Sequence, residues 1–168
     1  IASVLGTRTT GATDTGADAT GAPTALDAGD LVINGVTIGA ARADDDSATD
    51  TIARSSSSGA SAIATAAAIN RASDQTGVTA TANPTTVVGG SSTVAATEGD
   101  SGIIVINNVA TTRVTATGDL VADRATAIDA INAISGRTGV VAEDNGTSIT
   151  LTAADGRNVA IAVDTADA

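Results

Sequence analysis

One unit occurs twice in this chain, and that duplication constrains the fold more than any other feature. Val32-Ile33-Asn34-Gly35-Val36 recurs as Val105-Ile106-Asn107-Asn108-Val109, an offset of 73 (107 − 34). Farther on, Ile69-Asn70 recurs as Ile131-Asn132 and Thr76-Gly77-Val78 as Thr138-Gly139-Val140, both at an offset of 62 (132 − 70). The order of parts is strand, tight turn, strand, Ala/Ile-rich helix, then a Thr-Gly-Val strand. The two offsets differ by 11 residues (73 − 62), and the extra length in the first copy falls around Arg42 to Gly59. Self-similarity on this scale means one supersecondary unit used twice. It points toward a built structural surface rather than one active site.

Local signals fill in the unit. Asn34-Gly35 predicts a type I′ hairpin turn, because both central residues of that turn need positive φ. Asn108 replaces the turn glycine in the second copy, and Asn tolerates the left-handed region better than most residues. Asp44-Asp45-Asp46 opens the inserted loop, which runs through Asp50 to Ser55-Ser56-Ser57-Ser58-Gly59. A helix starting at Gly59 or Ser61 then carries Ile63, Ala66, Ala67, Ile69 and Asn70. The second helix places Ala125, Ile128, Ile131 and Ile134 on one stripe, matched in the first by Ala66, Ile69 and Ala72, with Ile63 beside Ala125. Spacings of three and four put such residues on one face. The first helix is poorer in large side chains and is expected to pack more closely and more weakly.

Gly77 and Gly139 are expected to provide left-handed helix ends before the returning strands. Thr85 to Val88, Gly89-Gly90 and Ser92 to Ala96 read as a further hairpin. In the second copy Asn145-Gly146 turns into Ser148 to Leu151, and Asp155-Gly156 turns into Asn158 to Val163. Ahead of all this, residues Ile1 to Ala28 read either as a flexible lead-in or as short edge strands of the first module, with partial order expected around Ile1 to Leu5 and a loop from Gly11 to Pro23.

The composition restricts what such a unit can do. Phe, Trp, Tyr, Met, Cys and His are absent from all 168 residues. Aromatic side chains normally bury the most area per residue, so the core must be thin and built from β-branched and Ala side chains. A mean hydropathy of +0.22 argues against simple disorder. The charge is −11, from 19 acids against 8 bases, all of them Arg and scattered. Without a basic track, nucleic acid is not an expected partner. No apolar run approaches the ~20 residues that span a bilayer. The opening residue is Ile1 rather than Met, which suggests a fragment or processed product.

Catalytic chemistry finds little here. A Ser or Thr nucleophile lacks a His base, and thiol and Schiff-base routes are closed without Cys or Lys. Carboxylates in loops are the remaining acid–base groups, so no enzyme, no cofactor and no catalytic residue is expected. Asp44, Asp45, Asp46 and Asp50 offer oxygen ligands of the kind Ca²⁺ takes. The calcium-loop Gly and terminal Glu are missing, and a solvated acidic loop is the favoured reading, with no metal. Asn145-Gly146-Thr147 fits both a glycosylation acceptor and a hairpin turn, the turn being better supported by its flanks. Ser55 to Ser58 reads as a linker before the helix, or as an acceptor of O-linked sugars.

The doubled unit resembles the "IN" motif of bacterial flagellins and flagellar hook-associated proteins. The likeness rests on Val32 to Val36, Ala66 to Asn70 and Thr76 to Ala80. In the second copy it rests on Ile104 to Asn107, Ala127 to Asn132, Thr138 to Val140 and the strand-and-turn run Ile149 to Asn158. The resemblance implies the surface-exposed outer (D2/D3-type) region of a flagellin, a structural part of an extracellular motility filament. Its expected partners are neighbouring flagellin subunits, polymerised through parts outside this chain with lateral contacts between outer domains; no nucleic acid or membrane is implied. A binding or junction module of a hook-associated protein or surface adhesin is the alternative.

The expected fold is α+β: two similar small modules, each a mainly antiparallel twisted sheet with one packed helix. Residues 1–30 are expected to form a lead-in loop or edge segment, 31–98 the first module and 99–168 the second. Insertion into a parent chain also predicts that Ile1 and Ala168 lie at the same end.

Overall fold

The computed structural model describes residues 24–53, 55–91 and 95–164. The expectations for Ile1 to Leu5, Gly11 to Pro23, and the relative position of Ile1 and Ala168 lie outside that range. Within it the architecture is α+β, with small antiparallel sheets and helices packed on them. The first copy contains β1 (Val32–Ile33), β2 (Val36–Thr37), α1 (Ala62–Asn70) and a short α2 (Ser73–Thr76). Next comes β3 (Thr85–Val88). The second copy contains β4 (Ser101–Ile106), β5 (Val109–Ala110), β6 (Val114–Thr115), α3 (Leu120–Asn132), α4 (Ser135–Thr138), β7 (Val141–Asp144), β8 (Ile149–Ala153) and β9 (Ile161–Asp164).

Both hairpins turn as their sequences require. Asn34 and Gly35 have φ of 52° and 80°, and Asn107 and Asn108 have 47° and 61°. Ile33 lies opposite Val36, and Ile106 opposite Val109. Each long helix starts at a side-chain cap. Ser61 Oγ accepts from the Ala64 amide at 3.0 Å, and Asp119 accepts from the Val121 and Ala122 amides at 2.8 and 2.9 Å. Such caps satisfy amides that the first helical turn cannot. The helix in each copy is broken once near its end. Ala72 sits at φ −104°, ψ 9° and Ile134 at φ −105°, ψ 5°, after which one short turn ends at Gly77 (φ 68°) or Gly139 (φ 70°). Different residues thus take the same bend in the two copies.

The sheets do not divide evenly between the copies. β1 and β2 form a two-stranded sheet, while β4 pairs with β5, β6 and β9. The expected hairpin partner of β3, Ser92 to Ala96, lies in part (92–94) outside the described residues. β3 pairs antiparallel with β8, which also pairs with β7. That register places Val87 opposite Leu151, and both are buried. Burying a Val side chain stabilises by about 1.5–3 kcal/mol, so the apolar face of β3 goes to the larger core.

That core comprises Val87, Ile106, Ile131, Val140, Ala142, Leu151, Ala153 and Val159, with Ile104, Ile128, Ile134, Ile149 and Ile161 packed at its margin. The first copy's core is smaller: Ile38, Ala41, Ala64 and Ala68, flanked by Leu26, Leu31, Ile33, Ile69 and Ala72. The expected stripe holds for Ile128, Ile131 and Ile134, whereas Ala125 is exposed. In α1 the deepest residues are Ala64 and Ala68 rather than Ala66 or Ile69. The inserted loop covers α1 from a second side with 3₁₀ turns at Ala43–Asp45 and Ser58–Ala60, a cover that α3 lacks among the described residues.

Candidate functional site

The residues that define the repeat meet one another in space, and their chemistry is hydrogen bonding between elements. Asn34 Nδ2 donates to the Thr76 carbonyl at 2.9 Å, and Asn107 Nδ2 donates to the Thr138 carbonyl at 3.0 Å. The hairpin tip of each copy is thereby tied to the end of that copy's short helix. The threonine is used as well: Thr76 Oγ1 accepts from the Val78 amide, and Thr138 Oγ1 from the Val140 amide, both at 3.1 Å.

A second asparagine in each copy closes the other end. Asn70 Nδ2 donates to the Ala80 carbonyl at 2.9 Å and its Oδ1 accepts from the Ala80 amide at 2.7 Å. Asn132 does the same with Ala142, at 3.0 and 2.8 Å. A primary amide offers a donor and an acceptor side by side, which a strand's backbone matches. The four asparagines of the repeat are therefore structural clamps, one pair per copy.

The acidic insertion disperses its carboxylates. Asp45 pairs with Arg71 at 2.6 Å and accepts from the Arg42 amide at 3.2 Å. Asp46 is buried, and its Oδ1 accepts from the Ala48 and Thr49 amides at 2.8 and 3.1 Å. Asp50 accepts from the Ala53 amide at 2.8 Å, and Asp44 is exposed. Asp45, Asp46 and Asp50 each bond to an amide of their own loop, and among the described residues no three His, Cys, Asp or Glu side chains gather as a metal site would require.

The shifted carboxyls move in one direction. The Arg71 side chain beside Asp45 holds its carboxyl below the usual range. Burial pushes the Asp46 carboxyl up, but the neighbouring Ser61 and Thr49 hydroxyls and the Ala48 and Thr49 amides together bring it below the usual value. The Arg157 side chain lowers Asp155. The Gly146 amide, with Arg124, lowers Asp144. A carboxyl that donates a proton near neutrality needs a shift the other way.

The modification candidates are placed differently. Ser55, Ser56 and Ser58 are each 5–6% exposed, so the Ser run is packed against the fold rather than displayed as a linker. Asn145 is exposed at the β7–β8 turn, yet its Nδ2 donates to Ser148 Oγ at 3.0 Å and Thr150 Oγ1 at 3.2 Å. Its Oδ1 accepts from the Thr147 and Ser148 amides at 3.1 and 2.7 Å. The residue builds the turn.

Two neighbours in sequence, Arg157 and Asn158, do work that no local pattern announced. Arg157 pairs with Asp155 at 2.6 Å, donates to the Thr138 carbonyl at 3.2 Å, and lies over Gly139. Asn158 donates from Nδ2 to the Ser57 carbonyl at 3.0 Å, and its amide donates to Thr49 Oγ1 at 3.1 Å. The inserted loop of the first copy is thus fastened to the last turn of the second. Only the Asp155-Gly156 turn signal marked the place. No protein-family model matches the chain, and no curated protein matches it.

Proposed function

We propose that the chain is the outer domain of a bacterial flagellin-type subunit, a structural element that decorates an extracellular filament and contacts neighbouring copies laterally. The observation that carries this reading is the doubled unit in which the same asparagines and threonines make the same bonds. A module whose distinctive polar residues are all spent on holding elements together suits a rigid spacer. The acidic net charge supports the reading too, since like-charged surfaces limit indiscriminate sticking in a crowded array.

The test is peptide mapping of the parent protein sheared from cell surfaces. Peptides of this chain inside one abundant polypeptide, flanked by long helical segments, are the expected result. A scarce parent without such flanks would sink the filament reading in favour of a hook-associated or adhesive module.

A further inference from the structure

The second copy carries a strand that the first copy, among the described residues, lacks. β9 runs along the outer edge of β4, with Val105 opposite Ala162 and Ile106 opposite Ile161. The pairing continues beyond the strands. The Asn107 amide donates to the Ala160 carbonyl at 2.9 Å, and Asn107 Oδ1 accepts from the Ala160 amide at 2.8 Å. Asn107 is left only 8% exposed.

Asn34 has the same backbone conformation and makes the same bond to the carbonyl of its own threonine. Yet Asn34 is exposed, Val32 is 56% exposed, and β1 pairs with β2 alone among the described residues. In an antiparallel ladder, successive residues turn their amides to opposite sides. With Ile33 opposite Val36 at the two-residue turn, Val32 directs its N–H and C=O outward, as Val105 does toward Ala162. Such an edge is a template for another strand.

We propose that this edge takes a third strand supplied by Ile1 to Leu5 of the same chain, seated antiparallel as β9 is on β4. Three observations favour that occupant, independently of the filament reading. The residues ahead of Thr24 contain three large aliphatic side chains, Ile1, Val4 and Leu5, all in this uncharged run. The chain enters the described region beside the same small core, where Leu26 packs and its carbonyl accepts from the Ala41 amide at 2.9 Å. An extended chain between Leu5 and Leu26 reaches up to ~70 Å, ample for a return along β1. The core it would join holds three alanines and one isoleucine, and is short of the bulk that Val and Leu carry. A second copy in this place would bring another net charge of −11 against the first.

The chain has no cysteine, so introduced pairs report cleanly. Val32→Cys combined with Ser3→Cys or with Val4→Cys is oxidised at low protein concentration and mapped by mass. Amide exchange at Val32 is followed in the full chain and in a Val4→Asp variant, with the Val105 amide as internal reference for folding. The proposal expects a disulfide within one chain for at least one pair. It also expects the Val32 amide to exchange at least ~tenfold faster in the variant, while Val105 keeps its rate. Equal Val32 rates in both chains overturn it, whether that amide proves open or covered by some other segment. Disulfides only between chains, or Val32 protection that rises with protein concentration, also overturn it and assign the edge to a second copy.

Discussion

At the residue scale the two copies are natural controls for each other. Asn107 and Asn34 share φ and share the bond to a threonine carbonyl, but only Asn107 is buried and bonded to Ala160. Removing a buried polar partner costs about 1–3 kcal/mol, more than an exposed hydrogen bond contributes. Asn107→Ala is therefore expected to lower stability by about 2–3 kcal/mol and Asn34→Ala by about 1 kcal/mol, read from urea midpoints at constant slope. Gly77 and Gly139 form a second matched pair. Both have φ near 70°, where an L side chain costs about 1 kcal/mol. A Cβ at Gly77 meets open space, whereas one at Gly139 overlaps the Arg157 guanidinium. Gly139→Ala should then destabilise by about 1 kcal/mol more than Gly77→Ala, and the excess should vanish in an Arg157→Ala background, as a double-mutant cycle would show.

At the scale of elements, the decisive difference is which core each helix serves. α3 places Ile131 in the larger core with Ile128 and Ile134 at its margin, while α1 offers alanines to the smaller one. Packing of an apolar face supplies most helical stability in proteins, and local opening is cheapest where few apolar contacts must be broken. Amides in α1 are expected to exchange through a local opening at least ~tenfold more easily than those of α3, measured by native-state hydrogen exchange. Equal protection would mean that the inserted loop over α1 compensates fully for its lack of bulk. The sequence made the poverty of α1 plain. It did not reveal the loop's cover, because Thr49 and the Ser run look like solvated linker until their partner Asn158 is known.

For the whole molecule, the insertion and the last turn are one joint, held by Asn158, and the ion pairs sit around it and the two helices. Asp45, Asp46, Asp144 and Asp155 all have lowered carboxyl values in the folded state. A carboxyl with a depressed folded value stabilises the fold above its unfolded value, and that contribution is lost as pH falls through the folded one. Stability should stay nearly level from neutrality to about pH 5 and decline below about pH 4, where the carboxyls protonate. Thermal midpoints across that range test it, and a fold that gained stability on acidification to pH 3 would refute the assignment. Relief of the −11 charge works against this trend at first, but below pH 4 the eight arginines stand without counter-charges.

The turns, the helix caps, the doubled order of parts and the lack of large side chains were all determined by the sequence alone. Each depends on residues within a few positions of one another: Asn-Gly for positive φ, Ser61 and Asp119 for the first helical amides, Gly77 and Gly139 for the left-handed exits. Partners distant along the chain were decided only by the tertiary structure. β3 pairs with β8 across copies, where Val87 is buried opposite Leu151. The repeat asparagines find their threonine carbonyls 42 and 31 residues away, and Asn158 finds Thr49 at a separation of 109. Local periodicity carries no information about such distances, because a side-chain amide satisfies whichever backbone group the packing of the core brings to it.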